Sequence, residues 1–330
     1  MSRLHAGVCS SMTASAVEKL RVAGILNVVD FVTADLDVLA TKSCVAYREL
    51  AAIRRALINE HAAPVVAGCS LFDVAVATTS IVSLGSRALD AMLEGGILTS
   101  EITEVVTDRS GVSDALVMNA VCAVVTTMSK NVVFIDMPNR FDVTHLATML
   151  ASQPDVHVES ALKRVRVVKC FDVLTLLSKL SILCEAPGLS NDSFYSSVKL
   201  IVISGIVDCI IPSLSHMHNN AGCGYVAQLV HQLRLLTTDF CFAVLLCNSD
   251  AHLTVLKNAT SARATPVGRL WCSVPATRLD VVDITRGINE SCDTENCVTN
   301  ARVKVTLSTS NRLPLGHCVE LEINEHGLFT

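Results

Sequence analysis

The stretch "EITEVVTDRSGVSDALVMNAVCAVV", residues 101–125, decides the fold. An apolar run, Ile102 to Val106, stops at a polar turn, Thr107 to Asp114. A second apolar segment opens at Ala115 with spacing that suits a helix. Strand, tight turn and helix is the layout of a phosphate-binding loop, whose pattern is G-x-x-x-x-G-K-[ST]. The turn here reads T-D-R-S-G-V-S-D. Thr107 stands at the first glycine position, and Val-Ser-Asp stands where Gly-Lys-Ser/Thr belongs.

Downstream, the same alternation recurs. Apolar runs that read as buried strands ("NVVFID", "RVRVVKC", "VKLIVIS", "CFAVLLC") are separated by helix-like segments ("VTHLATMLASQ", "VLTLLSKLSIL", "GYVAQLVHQLRLLTTD"). Strands alternating with helices of this length predict right-handed βαβ units and a mostly parallel sheet, an α/β class. The end of the chain differs. "ARVKVTLST" and "HCVELEI" alternate in polarity around the turn-rich "NRLPLG", which predicts an antiparallel hairpin at one side of the sheet.

Composition agrees. Hydrophobic residues make up 51% and charged residues only 17%, with aromatics at 4%. The apolar content is therefore mostly aliphatic, as strands covered on both faces require. No apolar run reaches the roughly 18–20 residues that span a bilayer, and the N-terminus lacks the apolar core of a secretory signal. These features predict an intracellular protein. The fourteen cysteines form no C-x-x-C pair and no zinc-type cluster with histidine, so they read as small buried hydrophobes in a reducing compartment. Cys292 and Cys297 lie close together but make only two ligands. A net charge of −5 lacks the basic footprint of strong DNA binders. Any nucleic-acid contact is local or shared with partners.

Residues 1–61 read as a small helical domain. Ser15 with Glu18 suggests a capping box before "VEKLRVAGI", and Thr33 a cap for "ADLDVLATK". "VAYRELAAIRRALINEH" places Val45, Leu50, Ile53, Leu57 and Ile58 on one helical face. Residues 62–85, with Pro64 and Gly68 and no clear period, read as a linker that packs partly as extended chain. Residues 86–330 read as the core.

This order resembles that of the RecA superfamily of recombinases. Three stretches carry the likeness. "SIVSLGSRALDAMLEGGI", residues 80–97, is similar to the segment that leads into the superfamily's P-loop. "PVGRLWCSVPATR", residues 266–278, is similar to the stretch after its second DNA-facing loop. "LNVVDFVTADLDVLATKSCVAYRELAAIRRAL" resembles the N-terminal domain of the D-type paralogues of the eukaryotic Rad fifty-one recombinase family. The resemblance implies a RecA-like P-loop NTPase core, a mostly parallel sheet flanked by helices with a C-terminal antiparallel hairpin, behind an all-helical N-terminal domain. It also implies a nuclear role in homologous-recombination repair of DNA damage, assisting recombinase assembly on single-stranded or branched DNA. The implied partners are other recombinase paralogues, a C-type one through the core and an X-ray cross-complementing one through the N-terminal domain. ATP and Mg are implied by the resemblance alone.

The site residues argue against nucleotide chemistry. On the P-loop pattern, Thr107, Asp108, Arg109, Ser110, Gly111, Val112, Ser113 and Asp114 form a vestigial loop. Val112 is β-branched where glycine is needed, Ser113 brings no charge where lysine belongs, and Asp114 replaces the magnesium-binding hydroxyl. Two unlike-placed carboxylates, Asp108 and Asp114, would each cost on the order of 4 kcal/mol against phosphate at ~4 Å and an effective dielectric of ~20. Arg109 offsets part of that. Ser204 ends the strand where the superfamily has a magnesium-binding Asp, and Asp208, four residues on, should point elsewhere. Asp136 is kept, but Pro138 occupies the position of the catalytic glutamate and cannot act as a base. No cofactor is expected.

"SGVSDA" also reads as a plain strand–helix turn, with Ser113 or Asp114 as N-cap. Residues 251–279 carry Lys257, Arg263, Arg269 and Arg278. Lys257, Arg263 and Arg269 are the candidate contacts for DNA phosphates, against a merely solvated loop. Trp271 and Arg278 read as structural. His216 and His218, in the first DNA-facing stretch (residues 213–225), lack a third ligand for a metal. Arg164 and Arg166, in "KRVRVVK", read as the solvated face of a strand. The leading reading is a pseudo-ATPase that assembles through surfaces. The alternatives are a DNA-dependent ATPase that retains nucleotide binding, and a purely structural subunit without DNA contact.

Overall fold

A computed structural model of the protein describes residues 4–6, 12–61, 65–107, 110–189, 193–215, 221–249, 271–284 and 301–324. The chain divides into two compact units, residues 1–74 and 75–330. The division falls inside the stretch read as linker.

The first unit packs α1 (Ala14–Val22), α2 (Val28–Thr33), α3 (Leu36–Ser43) and α4 (Tyr47–His61) around Leu20, Phe31, Leu39, Leu50, Ile53 and Leu57. The caps differ from the sequence reading. Thr13, not Ser15, precedes α1, and its hydroxyl accepts from the Ala16 N–H at 3.1 Å. Asp35, not Thr33, caps α3, and Thr33 ends α2 with its hydroxyl donating to the Val29 carbonyl. A carboxylate one residue before the helix meets the orphan N–H groups better than a threonine already inside the preceding helix. Ile58 is exposed, because the buried stripe of α4 runs through Leu50, Ile53 and Leu57.

Part of the stretch expected to pack as extended chain is helical instead. Residues Gly68–Thr78 form a helix, α5, and none of its residues is buried. Its apolar residues surround the helix instead of lining one face, which is why no period was visible.

In the second unit, β1 (Ile81–Val82) and β2 (Ile97–Leu98) form a small antiparallel pair around α6 (Arg87–Met92). The main sheet has eight strands. They are β3 (Ile102–Thr107), β4 (Asn131–Asp136), β5 (Val165–Lys169), β6 (Val198–Ser204), β7 (Ala243–Ser249), β8 (Thr277–Asp283), β9 (Arg302–Ser310) and β10 (Cys318–Glu322). Their order is β10-β9-β8-β3-β7-β6-β4-β5. β8 through β5 run parallel, and β9 and β10 add the antiparallel hairpin at one side. The sequence reading found every strand of the sheet except β8. Its "RLDVVD", residues 278–283, has only Leu279, Val281 and Val282 among charged residues, and the stretch assigned by resemblance ends where it begins, at Arg278.

Helices cover both faces, so the core has two halves. On one face lie α7 (Ser110–Thr126), α8 (Val143–Ala151) and α9 (Val158–Leu162), with Leu116, Val121, Leu146 and Met149 against Val105, Phe134 and Leu245. On the other lie α10 (Val173–Leu189), α11 (Ser193–Ser196), α12 (Ile206–Ser215) and α13 (Ala221–Thr238), with Leu176, Ile210, Leu229 and Leu233 against Ile102, Ile135 and Ile203. β3 is central and buried throughout.

β5 is an outer strand. Arg164 and Arg166 are half-buried rather than solvated: Arg164 donates to the Ser129 carbonyl, and the Arg166 guanidinium lies 4.0 Å from the centre of the Phe194 ring. The described cysteines are free thiols, but only Cys122, Cys170 and Cys247 are buried, while Cys44, Cys69, Cys272 and Cys318 are exposed. Cys292, Cys297, His216 and His218 lie outside the described residues. Among the described residues no helix is long and apolar enough to cross a membrane.

Candidate functional site

The carboxyl ends of parallel strands, beside the point where the chain leaves β3 for α7, are where an α/β sheet offers a binding crevice. Thr107 ends β3 there and is buried opposite Ser249 of β7 and Val281 of β8. Asp108 and Arg109 lie outside the described residues. The helix begins earlier than the sequence suggests. Ser110 opens α7 and Gly111 is already helical, so Ser113 and Asp114 sit within its first turns and are not its N-cap.

Val112 is fully buried and belongs to the core packed against α6 and α8. The position that should let the backbone curl around a phosphate is instead an anchor for the helix. Ser113 is also buried. Asp114 is partly exposed, and burial pushes its carboxyl up to about 6, against the lowering effect of Arg140 and with a further rise from Asp136. The nearest described cation is Arg140, from the turn after β4, whose Nε lies 3.6 Å from an Asp114 oxygen.

Asp136 ends β4 and is buried. Its two carboxylate oxygens accept from the Arg140 N–H at 3.1 Å and the Phe141 N–H at 3.0 Å. The carboxylate is therefore spent on closing the turn that presents Arg140. Asn139 takes a left-handed conformation within that turn, φ +55, as asparagine tolerates. Pro138 packs against the end of β6: a Cβ on Gly205 would stand 3.1 Å from the proline Cδ. Ser204 ends β6, buried, in register with Asp136. Asp208, expected to point away, is exposed, but its Oδ2 would lie 3.4 Å from that same Cβ, so it folds back toward the strand end.

The family's ATP and Mg do not fit the described residues. A triphosphate would meet the uncharged Ser113 in place of a lysine and the Asp114 carboxylate in place of the magnesium-binding hydroxyl, and the Asp136 oxygens already accept from the Arg140 and Phe141 N–H groups. Among the described residues no cluster of three potential metal ligands occurs. Lys257, Arg263 and Arg269 lie outside the described residues.

The structure brings together residues that the sequence reading did not group. Glu104, in the middle of β3, is fully buried. Asn248 Nδ2 donates to its Oε1 at 2.7 Å and Trp271 Nε1 to the same oxygen at 3.0 Å. The Arg278 guanidinium holds Oε2 through Nε and a terminal nitrogen, each at 2.6 Å. The available signal was a glutamate, the one charged residue of a mostly apolar central strand, since a buried carboxylate requires partners.

These features define a RecA-type recombinase core, a mostly parallel sheet between helices with an antiparallel hairpin at one side. A crystal structure of the RadB recombinase superposes with a TM-score of 0.57 at 16% identity, covering 75% of this chain and 98% of that one, which supports the fold. The chain belongs to the Rad51 family: the Rad51 family model matches residues 77–299, and the model for the RAD51D N-terminal domain matches residues 1–59. It is 31% identical to DNA repair protein RAD51 homolog 4 of Bos taurus over 319 residues, 96% of this chain and 93% of that protein. It is 28% identical to the protein of the same name from Mus musculus over the same shares.

Proposed function

We propose that this chain serves homologous-recombination repair as a recombinase paralogue that acts by assembly and not by its own ATP hydrolysis. The observation that carries this is the state of the crevice. Val112 is in the core, Asp114 pairs with Arg140, Asp136 closes its own turn, and Pro138 fills the position of the base. Magnesium, terminal phosphate and attacking water each lack their usual partner among these residues.

Its work then rests on surfaces. Helix α5 exposes Leu71, Phe72, Val74 and Val76. The outer strand β5, the turn after it and the start of α10 expose Val167, Phe171 and Leu174. Exposed apolar groups gathered in this way favour protein partners, and an unpaired strand edge invites another chain. The partners on this reading are other paralogues, one engaging residues 1–61 and another the core. DNA is met within that assembly in the nucleus, through Lys257, Arg263 and Arg269.

Co-purification with recombinase paralogues tests it. The full chain should hold two different partners, and removal of residues 1–61 should release one and keep the other. Retention of neither partner by the full chain sinks the proposal.

A further inference from the structure

Glu104 receives three hydrogen bonds from three separate parts of the chain, Asn248 near the end of β7, Trp271, and Arg278 on β8, and an ion-pair contact from a second Arg278 nitrogen. Asn248 stands just before residues 250–270, and Trp271 stands just after them. A single carboxylate oxygen, Oε1, thus holds both ends of that segment. Asn248 reaches further, because its Oδ1 accepts from the Val207 N–H at 3.2 Å. Val207 lies in the first turn of α12, the helix that runs into the other predicted DNA-facing stretch.

Stability alone does not account for this arrangement. The strand around Glu104 is mostly apolar, with Ile102, Val105 and Val106 buried, and well-packed hydrophobic groups usually stabilise such a position as well as a buried ion pair does. What a buried hydrogen-bonded network adds is a single fixed geometry among the elements it joins.

We infer that Glu104 is a positioning residue. Through Asn248 and Trp271 it fixes the two ends of residues 250–270, and through Asn248 the start of α12, to the strand that leads into the vestigial phosphate turn. The link is permanent, made by protein groups without a nucleotide. Its relevance to DNA rests on the function proposed above, in which Lys257 and Arg263 meet phosphates.

Limited trypsin digestion of the full chain reads the positioning directly, since Lys257, Arg263 and Arg269 are cleavage sites within the segment. Trp271→Phe removes one N–H and keeps the ring, Asn248→Ala removes the amide, and Glu104→Gln removes the charge. Each should speed cleavage at Lys257 and Arg263 about tenfold or more relative to sites elsewhere, as loss of a hydrogen bond to a charged group implies. Glu104→Gln leaves Arg278 without its counter-ion and can fail to fold, so the other two variants decide. Folded Trp271→Phe and Asn248→Ala proteins that cleave like the parent, or at all sites in parallel, overturn the inference. In a second arm, the paralogue complex is titrated with single-stranded DNA. If the parent complex does not bind, or Lys257→Ala with Arg263→Ala changes nothing, the DNA reading fails by itself and the digestion still judges Glu104.

Discussion

Arg140 points its guanidinium at Asp114 across the crevice that would hold a triphosphate, Nε to carboxylate 3.6 Å. The pair is held from below by Asp136, which accepts the Arg140 backbone N–H. On the function proposed above, this pair stands where the family's enzymes hold Mg-ATP, and Asp114 stays difficult to ionise within it. Burial pushes its carboxyl up to about 6, from an ordinary 3.8.

That shift fixes a pH dependence. Between the two values the folded protein keeps a proton that the unfolded chain has released. Asp114 therefore favours folding increasingly as pH falls through about 6, an effect complete below about 4, and it weighs against folding as pH rises through about 6. Asp114→Asn should thus be more stable than the parent at pH 8 by about 1–2 kcal/mol, a figure reduced for solvent screening at a partly exposed group. The advantage should shrink toward pH 4. Thermal denaturation of both proteins at the two pH values checks this, and an advantage that grows on acidification contradicts it.

Mg-ATP should give no thermal stabilisation at millimolar levels, because a ligand that does not bind the folded state cannot shift its equilibrium. Asp136→Asn should lower stability by about 1–3 kcal/mol, since two backbone N–H groups lose an anionic acceptor. It should do so without touching ATP turnover in the purified chain. Hydrolysis that disappears with Asp136→Asn would restore the ATPase reading.

The glycine pair ahead of β2 is a packing requirement. Gly96 has φ +136, and a Cβ there would stand 2.3 Å from the Val82 carbonyl oxygen. Gly96→Ala should cost about 3 kcal/mol or more, combining backbone strain with a clash against main chain. A urea midpoint within error of the parent's would show that the β1–β2 pair is not formed as described.

Much of this was legible in the sequence because it lies in local pattern. The strands "VKLIVIS" and "CFAVLLC" announce burial on both faces, and the misplacement of Val112, Ser113 and Asp114 can be read one position at a time. What escaped depends on the fold bringing distant residues together. Nothing near Glu104 names Asn248, Trp271 or Arg278 as its partners, and Arg140 meets Asp114 only because Asp136 bends the turn. The start of α7 at Ser110 escaped for a different reason: glycine and serine are weak helix formers, and the packing of Val112 overrides them. Helix α5 escaped because its apolar residues follow no single face.

Helix α5 gives the sharpest test of the assembly reading. None of its residues is buried, and the Phe72 side chain is two-thirds exposed. A charged substitution there removes no core contact, so Phe72→Asp should leave the melting temperature of the isolated chain within the range of ordinary surface changes, about 0.5 kcal/mol. If the helix is a docking element, the same substitution buries an unpaired carboxylate in the interface and should weaken paralogue binding about tenfold or more, as loss of an aromatic anchor does. Calorimetric titration of the co-purifying paralogue against both proteins, alongside their melting curves, separates the two effects. Undiminished binding by Phe72→Asp would move the interface away from α5 and leave Val167, Phe171 and Leu174 as the surface to alter next.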